Sequence, residues 1–470
     1  MVNDQNKIIE NFSNFLSDTS AAVGKQNLED YLFSFRLSLT NSILNLDLNS
    51  FQLSYPKTFY FENPTDSFSL LALGVAQEIS ENGLARFSSL SKKYNELRSK
   101  VITNWDKDAE RYPLICGGMK FTAEHSEDEW IDFKDSDWFV PEFLFIQNHG
   151  KQNLLYNFIF DGNSIKKQVN KFAQRLEFLF QITTDSEERT SNILSSKGLS
   201  PKDKKKWKNL ISGTLEKMAQ QNIFKTVVSR RADLILSGTL NWNEIKKYFS
   251  MNYPDCNTFI YHTGNSTFFG ASPERLLKIK NRHITIDVLA GSNPRGENID
   301  ADKKLEREMM SSSKLNYEHD LVLHQIKKAI TKYVSKILVH KVPYKKLSNI
   351  QHLHTIIQTE LLENADLFDL IEAIYPTGAI CGEPKDKALN LLKKIEDHKR
   401  GLYSGIIGYF NLNSEGDFVI GIRSALLHEN KLFAYAGCGI VEGSDPDKEF
   451  YETELKLKAI LSFFDENKSK

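Results

Sequence analysis

Cysteine is scarce: the 470-residue chain carries four, Cys116, Cys256, Cys381 and Cys438, all far apart and none in a CxxC pair. That spacing supports neither a disulfide framework nor a thiolate zinc site, and it fits a reducing compartment in which the thiols are small buried residues. Long apolar runs are missing too. The segment LLALGVA, from Leu70 to Ala76, falls well short of the roughly 20 residues that a membrane helix needs. The opening, MVNDQNKIIENFSNFLSDTS, has acidic residues early and no basic stretch leading into an apolar one, so no secretory signal is expected and a cytoplasmic location is. Charge of one sign is lacking as well. Lys and Arg number 60 against 61 Asp and Glu, a net charge of -1, which gives no long-range attraction for nucleic acid or an anionic membrane. Loops of the GxGxxG or GxxxxGK[ST] type, a GxSxG elbow and an HExxH pair are absent, which leaves nucleotide-driven chemistry without support. No period of about 20 to 50 residues recurs, so repeat architectures are set aside.

What the chain does have is material for a core: 40% hydrophobic residues, with 31 Phe and 17 Tyr, enough to exclude wholesale disorder. At about 150 residues per domain its length allows three units, and one large enzyme domain also fits. The polar stretch 183–206 is the best candidate boundary, or else a surface loop within one domain. Ser200 and Pro201 predict a helix start, followed by an apolar stripe of Trp207, Leu210, Ile211, Leu215 and Met218. Residues 224–236 and 283–289 predict strands, while 258–262 and 267–269 flank Gly264-Asn265 as a hairpin would. A helical pattern covers 316–338, with Val322, Ile326, Ala329, Ile330 and Val334 on one stripe. Residues 403–412, 418–427 and 431–436 predict an antiparallel meander before a terminal helix that opens near Asp445-Pro446. Irregular alternation of helices and strand clusters predicts an α+β class with large, mostly antiparallel sheets.

Carboxylates at helical spacing stand out. Glu449 and Glu452 lie at i and i+3 in the terminal helix, and Lys456 follows Glu452 at i+4, so the three share a face. An exposed, ion-paired helix start accounts for them, because acidic residues favour the positive end of the helix dipole. Glu318, beside His319 near the start of the long helix, has the same simple account. The alternative is that two helices bring carboxylates to one hard cation, since Mg²⁺ takes few protein carboxylates and fills its remaining positions with water and substrate oxygens. An anionic substrate would follow.

The blocks FKTVVSRR (224–231), GASPERLL (270–277), LAGSNPRG (289–296), SKLNYEHDLV (313–322), QHLHT (351–355), YPTGAICGEPK (375–385), LYSGIIGYF (402–410), IRSA (422–425) and AGCGIVEGSDPDKEFYETELK (436–456) follow one another in order. Together they resemble the chorismate-utilising enzymes, which include isochorismate, anthranilate, aminodeoxychorismate and salicylate synthases. CGGMKF (116–121), with Trp130, Trp138 and Pro141, extends the likeness from about residue 115 to the C-terminus. The resemblance implies an α+β chorismate-binding fold like that of anthranilate synthase component I. Two large sheets would pack face to face, with helices outside and the active site in the cleft between them. It divides the chain into an N-terminal segment, 1–110, packed on or part of the same fold, the N-terminal half of that fold, 111–200, and a catalytic region, 201–470. It also implies Glu318 and Glu452 as Mg²⁺ ligands, with Glu449 reaching the ion through water. Ser292, His352, Ala379, Tyr403, Arg423 and Lys456, with backbone groups near Gly291, Gly437 and Gly439, match positions around the substrate. Chorismate is a dianion, and an arginine fork suits a carboxylate. A satisfied core histidine at His352 and a structural ion pair at Arg423 are the simpler accounts.

Lys225 separates members of the family, because the resemblance places a lysine there in enzymes that activate water and another residue in those that add ammonia. An exposed lysine is protonated at neutral pH, so a basic role requires burial or a neighbouring cation, for which Arg230 or Arg231 is the candidate. Glu274 matches the general acid, for which burial is the expected means of keeping the carboxyl protonated. Ala379 favours isochorismate as product. Gly378, Tyr375 and Leu315 depart from the usual Pro, His and acidic residue. The resemblance thus implies an Mg²⁺-dependent isomerase that converts chorismate to isochorismate by adding water at C2 and losing the C4 hydroxyl, with menaquinone biosynthesis as the expected pathway. No glutaminase partner is expected, and the chain would act as monomer or homodimer. A salicylate synthase and a siderophore-pathway isochorismate synthase are the alternatives within the family, and a non-catalytic chorismate-binding protein is the alternative of another class.

Overall fold

Phe59 and Phe61, on strand Lys57–Asn63, enter one hydrophobic core while Tyr60 between them enters another, the period-two alternation of a pleated strand. The computed structural model describes residues 2–23, 28–37, 47–105, 113–123, 128–162, 164–182, 192–197 and 199–466. Among them lie one sheet of 13 strands and one of nine. The first core joins Phe59, Tyr261, Phe268 and Leu426 of the larger sheet to Cys116, Ile407 and Val419 of the smaller, so the sheets pack face to face. Behind the larger sheet, Phe12, Phe172, Ile245 and Leu457 bring in helices Val2–Val23, Ile165–Gln181, Trp242–Asn252 and Pro446–Glu466. Behind the smaller, Leu90, Val322, Leu370 and Leu391 do the same for Arg86–Arg98, Ser313–Ile330, Leu367–Ile374 and Lys385–Ile395. The result is the expected α+β layering of helices, sheet, sheet and helices.

Several predicted elements form as read. Strands Asn257–Thr263 and Ser266–Ser272 pair with Thr263 opposite Ser266, which leaves Gly264-Asn265 as a two-residue turn with Gly264 at φ +58°. Ser200 caps helix Pro201–Gln221 in a reciprocal capping box with Asp203. The long helix is shorter than its apolar pattern: it spans Ser313–Ile330, and Leu338 opens strand Leu338–Lys346. Val334, whose spacing extended the helical stripe, is instead buried by a bridge to Leu361. The expected strand over 418–427 is two strands, Gly416–Ile420 in the smaller sheet and Ser424–His428 in the larger.

Of the stretch 183–206, residues 183–191 and 198 lie outside the described residues; Asn192–Lys197 is an edge strand on Lys225–Ser237. Within 1–110, strands Leu32–Leu37, Lys57–Asn63, Phe68–Leu73 and Val101–Thr103 belong to the larger sheet and Gln77–Glu78 to the smaller. All four cysteines are free and buried. No helix among the described residues is long and apolar enough to cross a membrane.

Candidate active site

The chain passes from one sheet to the other at several places, two of which lie side by side at this site. Strand Ser266–Ser272 runs in the larger sheet and Arg275–Lys280 in the smaller, with Pro273-Glu274 between them. Strands Gly416–Ile420 and Ser424–His428 are joined in the same way by residues 421–423. The crossings are bonded to each other: Ile420 N donates to the Glu274 carbonyl at 3.0 Å, and Ala271 N to that of Arg423 at 3.2 Å. Arg423 has φ +52°, a left-handed conformation that costs a residue with Cβ about 1–2 kcal/mol. A sheet that bends through such a corner leaves a gap beside it, and both Glu274 and Arg423 line that gap.

Both side chains belong to a cleft lined by residues from the two sheets, helix Ser313–Ile330 and helix Pro446–Glu466. Every site residue taken from the sequence lines it except Glu449, which lies one turn before Glu452 and is buried. Lys225, 1% exposed, opens strand Lys225–Ser237, whose neighbour Lys431–Val441 supplies Gly437 and Gly439. A Cβ on Gly439 would lie 2.2 Å from Glu318 Oε1 and 3.0 Å from Lys225 Cε. This glycine makes the room in which those side chains meet.

Three glutamates face three lysines. Lys225 Nζ is 2.9 Å from Glu318 Oε1, Lys314 Nζ 2.8 Å from Glu449 Oε1, and Lys456 Nζ 2.6 Å from Glu452 Oε1. Lys456 also donates to the Gly437 carbonyl at 2.8 Å. Burial, and then the charge of Glu452, raises the Glu449 carboxyl, with Lys314 opposing. The arginines expected to act on Lys225 are engaged elsewhere: Arg230 with Thr453 and Glu454, Arg231 with Glu129 and Asp233. Lys225 therefore has a carboxylate, not a cation, as its close partner. The reason is the helix Ser313–Ile330, which packs on this side and brings Glu318 to it.

Glu274 is buried, and its carboxyl is pushed up to about 7, chiefly by burial; Lys225 opposes the rise and Asp287 adds to it. His352 is held well below its ordinary value by burial and then by Arg423. The Arg423 guanidinium lies 3.2 Å from His352 Nε2, and Ser292 Oγ lies 3.0 Å from Nδ1. Arginine can only donate, so Nε2 accepts and the ring proton sits on Nδ1, facing Ser292. Arg423 Nη1 is buried with no hydrogen-bond partner among the described residues, an unspent donor on the cleft wall. Tyr403 stacks on Tyr435 with ring centroids 5.0 Å apart.

The sequence reading missed the apolar lining, Val227, Ile380, Ile422 and Tyr435. Strand period could have found two of these, since Val227 and Tyr435 stand two residues from Lys225 and Gly437. It also missed Lys314. Among the described residues no group of three His, Cys, Asp or Glu side chains is gathered as a ready metal site. The donor set nevertheless fits a hard divalent ion: all three groups are carboxylates, and the repulsion between Glu449 and Glu452 is what a cation would relieve.

The cleft built at the corner between the two sheets gathers basic and acidic side chains around one small site. Residues 17–465 match the chorismate binding enzyme family, and the chain is a member of it. Isochorismate synthase MenF of Bacillus subtilis is 27% identical over 412 residues, 86% of this chain and 87% of that one. The salicylate biosynthesis isochorismate synthase of Pseudomonas aeruginosa is 27% identical over 405 residues, 85% and 83% of the two chains. Among solved structures, MenF, the menaquinone-specific isochorismate synthase from Escherichia coli, superposes with a TM-score of 0.77 at 21% identity, covering 98% of this chain and 100% of that one. Anthranilate synthase component I from Streptococcus pneumoniae shares the fold, with a TM-score of 0.69 at 21% identity over 83% and 91% of the chains.

Proposed function

We propose that this protein is an isochorismate synthase, interconverting chorismate and isochorismate, and that it serves menaquinone biosynthesis. The observation that carries the reading is the presence, in one cleft, of the buried side chain of Lys225 and the buried carboxyl of Glu274, which burial pushes up to about 7. A reaction that adds water at one ring carbon and expels hydroxyl from another needs one group to take a proton and one to give it. Lys225 takes the proton of the attacking water, so that hydroxide bonds to C2. The ring double bonds shift, the C4–O bond breaks, and Glu274 donates its proton so that the group leaves as water. One water enters and one departs.

Arg423, through its unpaired Nη1, holds a substrate carboxylate at the corner between the sheets, and the neutral ring of His352 steadies its guanidinium by accepting from it. Glu318 and Glu452 are the residues that would hold Mg²⁺, with Glu449 behind them, each giving up its lysine partner. When bound, the ion supplies positive charge to a substrate carboxylate among the glutamates.

Purified protein supplied with chorismate and Mg²⁺ tests the reading, with products resolved by chromatography. Chorismate and isochorismate should each yield the same mixture, without ammonia and without pyruvate. Stoichiometric pyruvate with salicylate would replace the reading by salicylate synthesis, and no conversion from either side would leave a binding protein.

A further inference from the structure

Two pieces of the cleft wall come from segments that share no strand pairing: helix Ser313–Ile330, which carries Glu318, and the turn after Leu367–Ile374, which carries Ala379 and Ile380. Both line the cleft together with Lys225. Glu318, Val322 and Gln325 stand at i, i+4 and i+7 and so share one face of the helix. Val322 is in the core. Gln325, one turn on, accepts a hydrogen bond from the buried amide N–H of Gly378 through Oε1.

Among the described residues the turn is otherwise held within itself, by Arg400 and by strand Lys225–Ser237, where Val227 N–H donates to the Cys381 carbonyl at 2.8 Å. Ile380 and Cys381 N–H donate to the Thr377 carbonyl, and Arg400 donates to that of Ile380 at 2.8 Å. Beyond it, Gly382–Glu383 pairs with Lys225 and Thr226. Gln325 is thus the polar link from this turn to the helix that bears Glu318. Gly378 suits the link in two ways: it has an N–H to give, which proline would not, and a Cβ there would lie 2.8 Å from Gln325 Oε1.

We propose that Gln325 is a positioning residue whose side-chain oxygen, through the Gly378 amide, fixes the Ala379–Ile380 wall against the helix carrying Glu318. A displacement of about 1 Å at a reacting site is enough to cost roughly 100-fold in rate. The inference rests on the isochorismate synthase reading for its kinetic consequences, but the link itself does not depend on the substrate.

The experiment uses the full chain and three variants. Gln325→Leu keeps bulk and removes the acceptor, Gln325→Glu keeps an acceptor oxygen, and Gly378→Pro removes the donor. Amide hydrogen exchange over 377–381 reads the link directly: Gln325→Leu should exchange faster, and Gln325→Glu should resemble the parent. Kinetics read its use. For Gln325→Leu and Gly378→Pro, kcat/KM for chorismate should fall about 10- to 100-fold per folded molecule, with the Mg²⁺ concentration for half-maximal rate raised, and Gln325→Glu should recover most of the loss. Unchanged exchange in Gln325→Leu overturns the proposal. So does parental kcat/KM and Mg²⁺ dependence once the folded fraction is accounted for, since that is the outcome of a purely structural bond. A parent that leaves chorismate untouched defeats the isochorismate reading instead, and the link is then decided by the exchange data alone.

Discussion

The middle of the sandwich and its corner are built from the same two sheets, yet they do opposite things. In the middle, facing positions hold Phe59, Phe61, Tyr261, Phe139 and Phe268, rings packed edge to face and stacked with no room for a ligand. At the corner, Lys225, Glu274 and Arg423 from the strands and their crossings, with Glu318 from helix Ser313–Ile330, line a cleft. Tyr403, Tyr435 and Ile422 belong to both and mark the boundary. At this corner, then, charged side chains keep as a polar cleft what aromatic rings fill as a core in the middle.

If the corner is the working half, changes there remove turnover while the fold persists. Lys225→Gln keeps length and hydrogen bonding but cannot take a proton, and should lower kcat by about 10²–10⁴-fold with chorismate still bound; parental turnover would reduce Lys225 to a structural partner of Glu318. Glu318→Gln or Glu452→Gln should weaken Mg²⁺ and substrate together, and excess chelator should abolish activity in the parent, both measurable by chromatography of the products.

Glu274 sharpens the contrast because function and stability there pull apart. Its folded carboxyl titrates at about 7, against 4.5 for an unperturbed glutamate, so the folded chain holds a proton that the unfolded chain has released. The stabilising contribution of that bound proton is full below about 4.5 and is lost as pH rises through about 7. The gap corresponds to about 3 kcal/mol. Glu274→Gln should accordingly lose about 10²–10⁴-fold in turnover while gaining stability over the parent between pH 5 and 8, up to that amount, in urea titrations. The parent's forward rate should decline as pH rises through about 7. A variant no more stable at pH 8 than at pH 5, relative to the parent, would show that Glu274 carries no buried charge.

The middle should behave in the reverse way. Phe59 is fully buried against Phe61 and Tyr261 and reaches no part of the cleft. Phe59→Ala should cost about 3–5 kcal/mol of stability through lost contacts and the cavity left behind, with kcat and KM of the folded fraction unchanged. A shift in KM would show that the two halves are mechanically coupled.

Most of the corner was legible in the sequence because its residues come in short, ordered blocks, and thirteen of the fourteen expected site residues line one cleft. What escaped was anything set by packing between blocks. The Arg230 and Arg231 guanidiniums lie next to Lys225 in sequence, yet Glu454, Glu129 and Asp233 claim them, and the helix across the cleft brings Glu318 to Lys225 instead. The strand expected over 418–427 failed for a related reason: its apolar pattern is continuous, but Gly421 approaches the Leu402 carbonyl so closely that a Cβ would lie 2.3 Å from it, and there the chain leaves one sheet for the other. The use of Gly378 could not be read either, because its partner Gln325 is 53 residues away in sequence.

The smallest expected effects come from two glycines on one strand, Gly439 and Gly437, which separate contact from mere proximity. At Gly439 a Cβ would lie 2.2 Å from Glu318 Oε1 and 3.0 Å from Lys225 Cε. Both are ends of flexible side chains, so Gly439→Ala should fold, with the Lys225–Glu318 pair displaced and kcat/KM reduced about 10- to 100-fold. At Gly437 the nearest atoms are Tyr403 Oη and the Val228 carbonyl, each 3.0 Å away, which a few tenths of an ångström would relieve. Gly437→Ala should therefore cost only a few-fold, and mostly in KM, because Tyr403 lines the cleft without touching either proton-transfer group. Measuring the two variants side by side at fixed Mg²⁺ decides the matter: equal losses would mean that strand Lys431–Val441 tolerates no methyl anywhere along the cleft, whereas the expected inequality makes the placement of Lys225 and Glu318 the sensitive feature and leaves Tyr403 as wall.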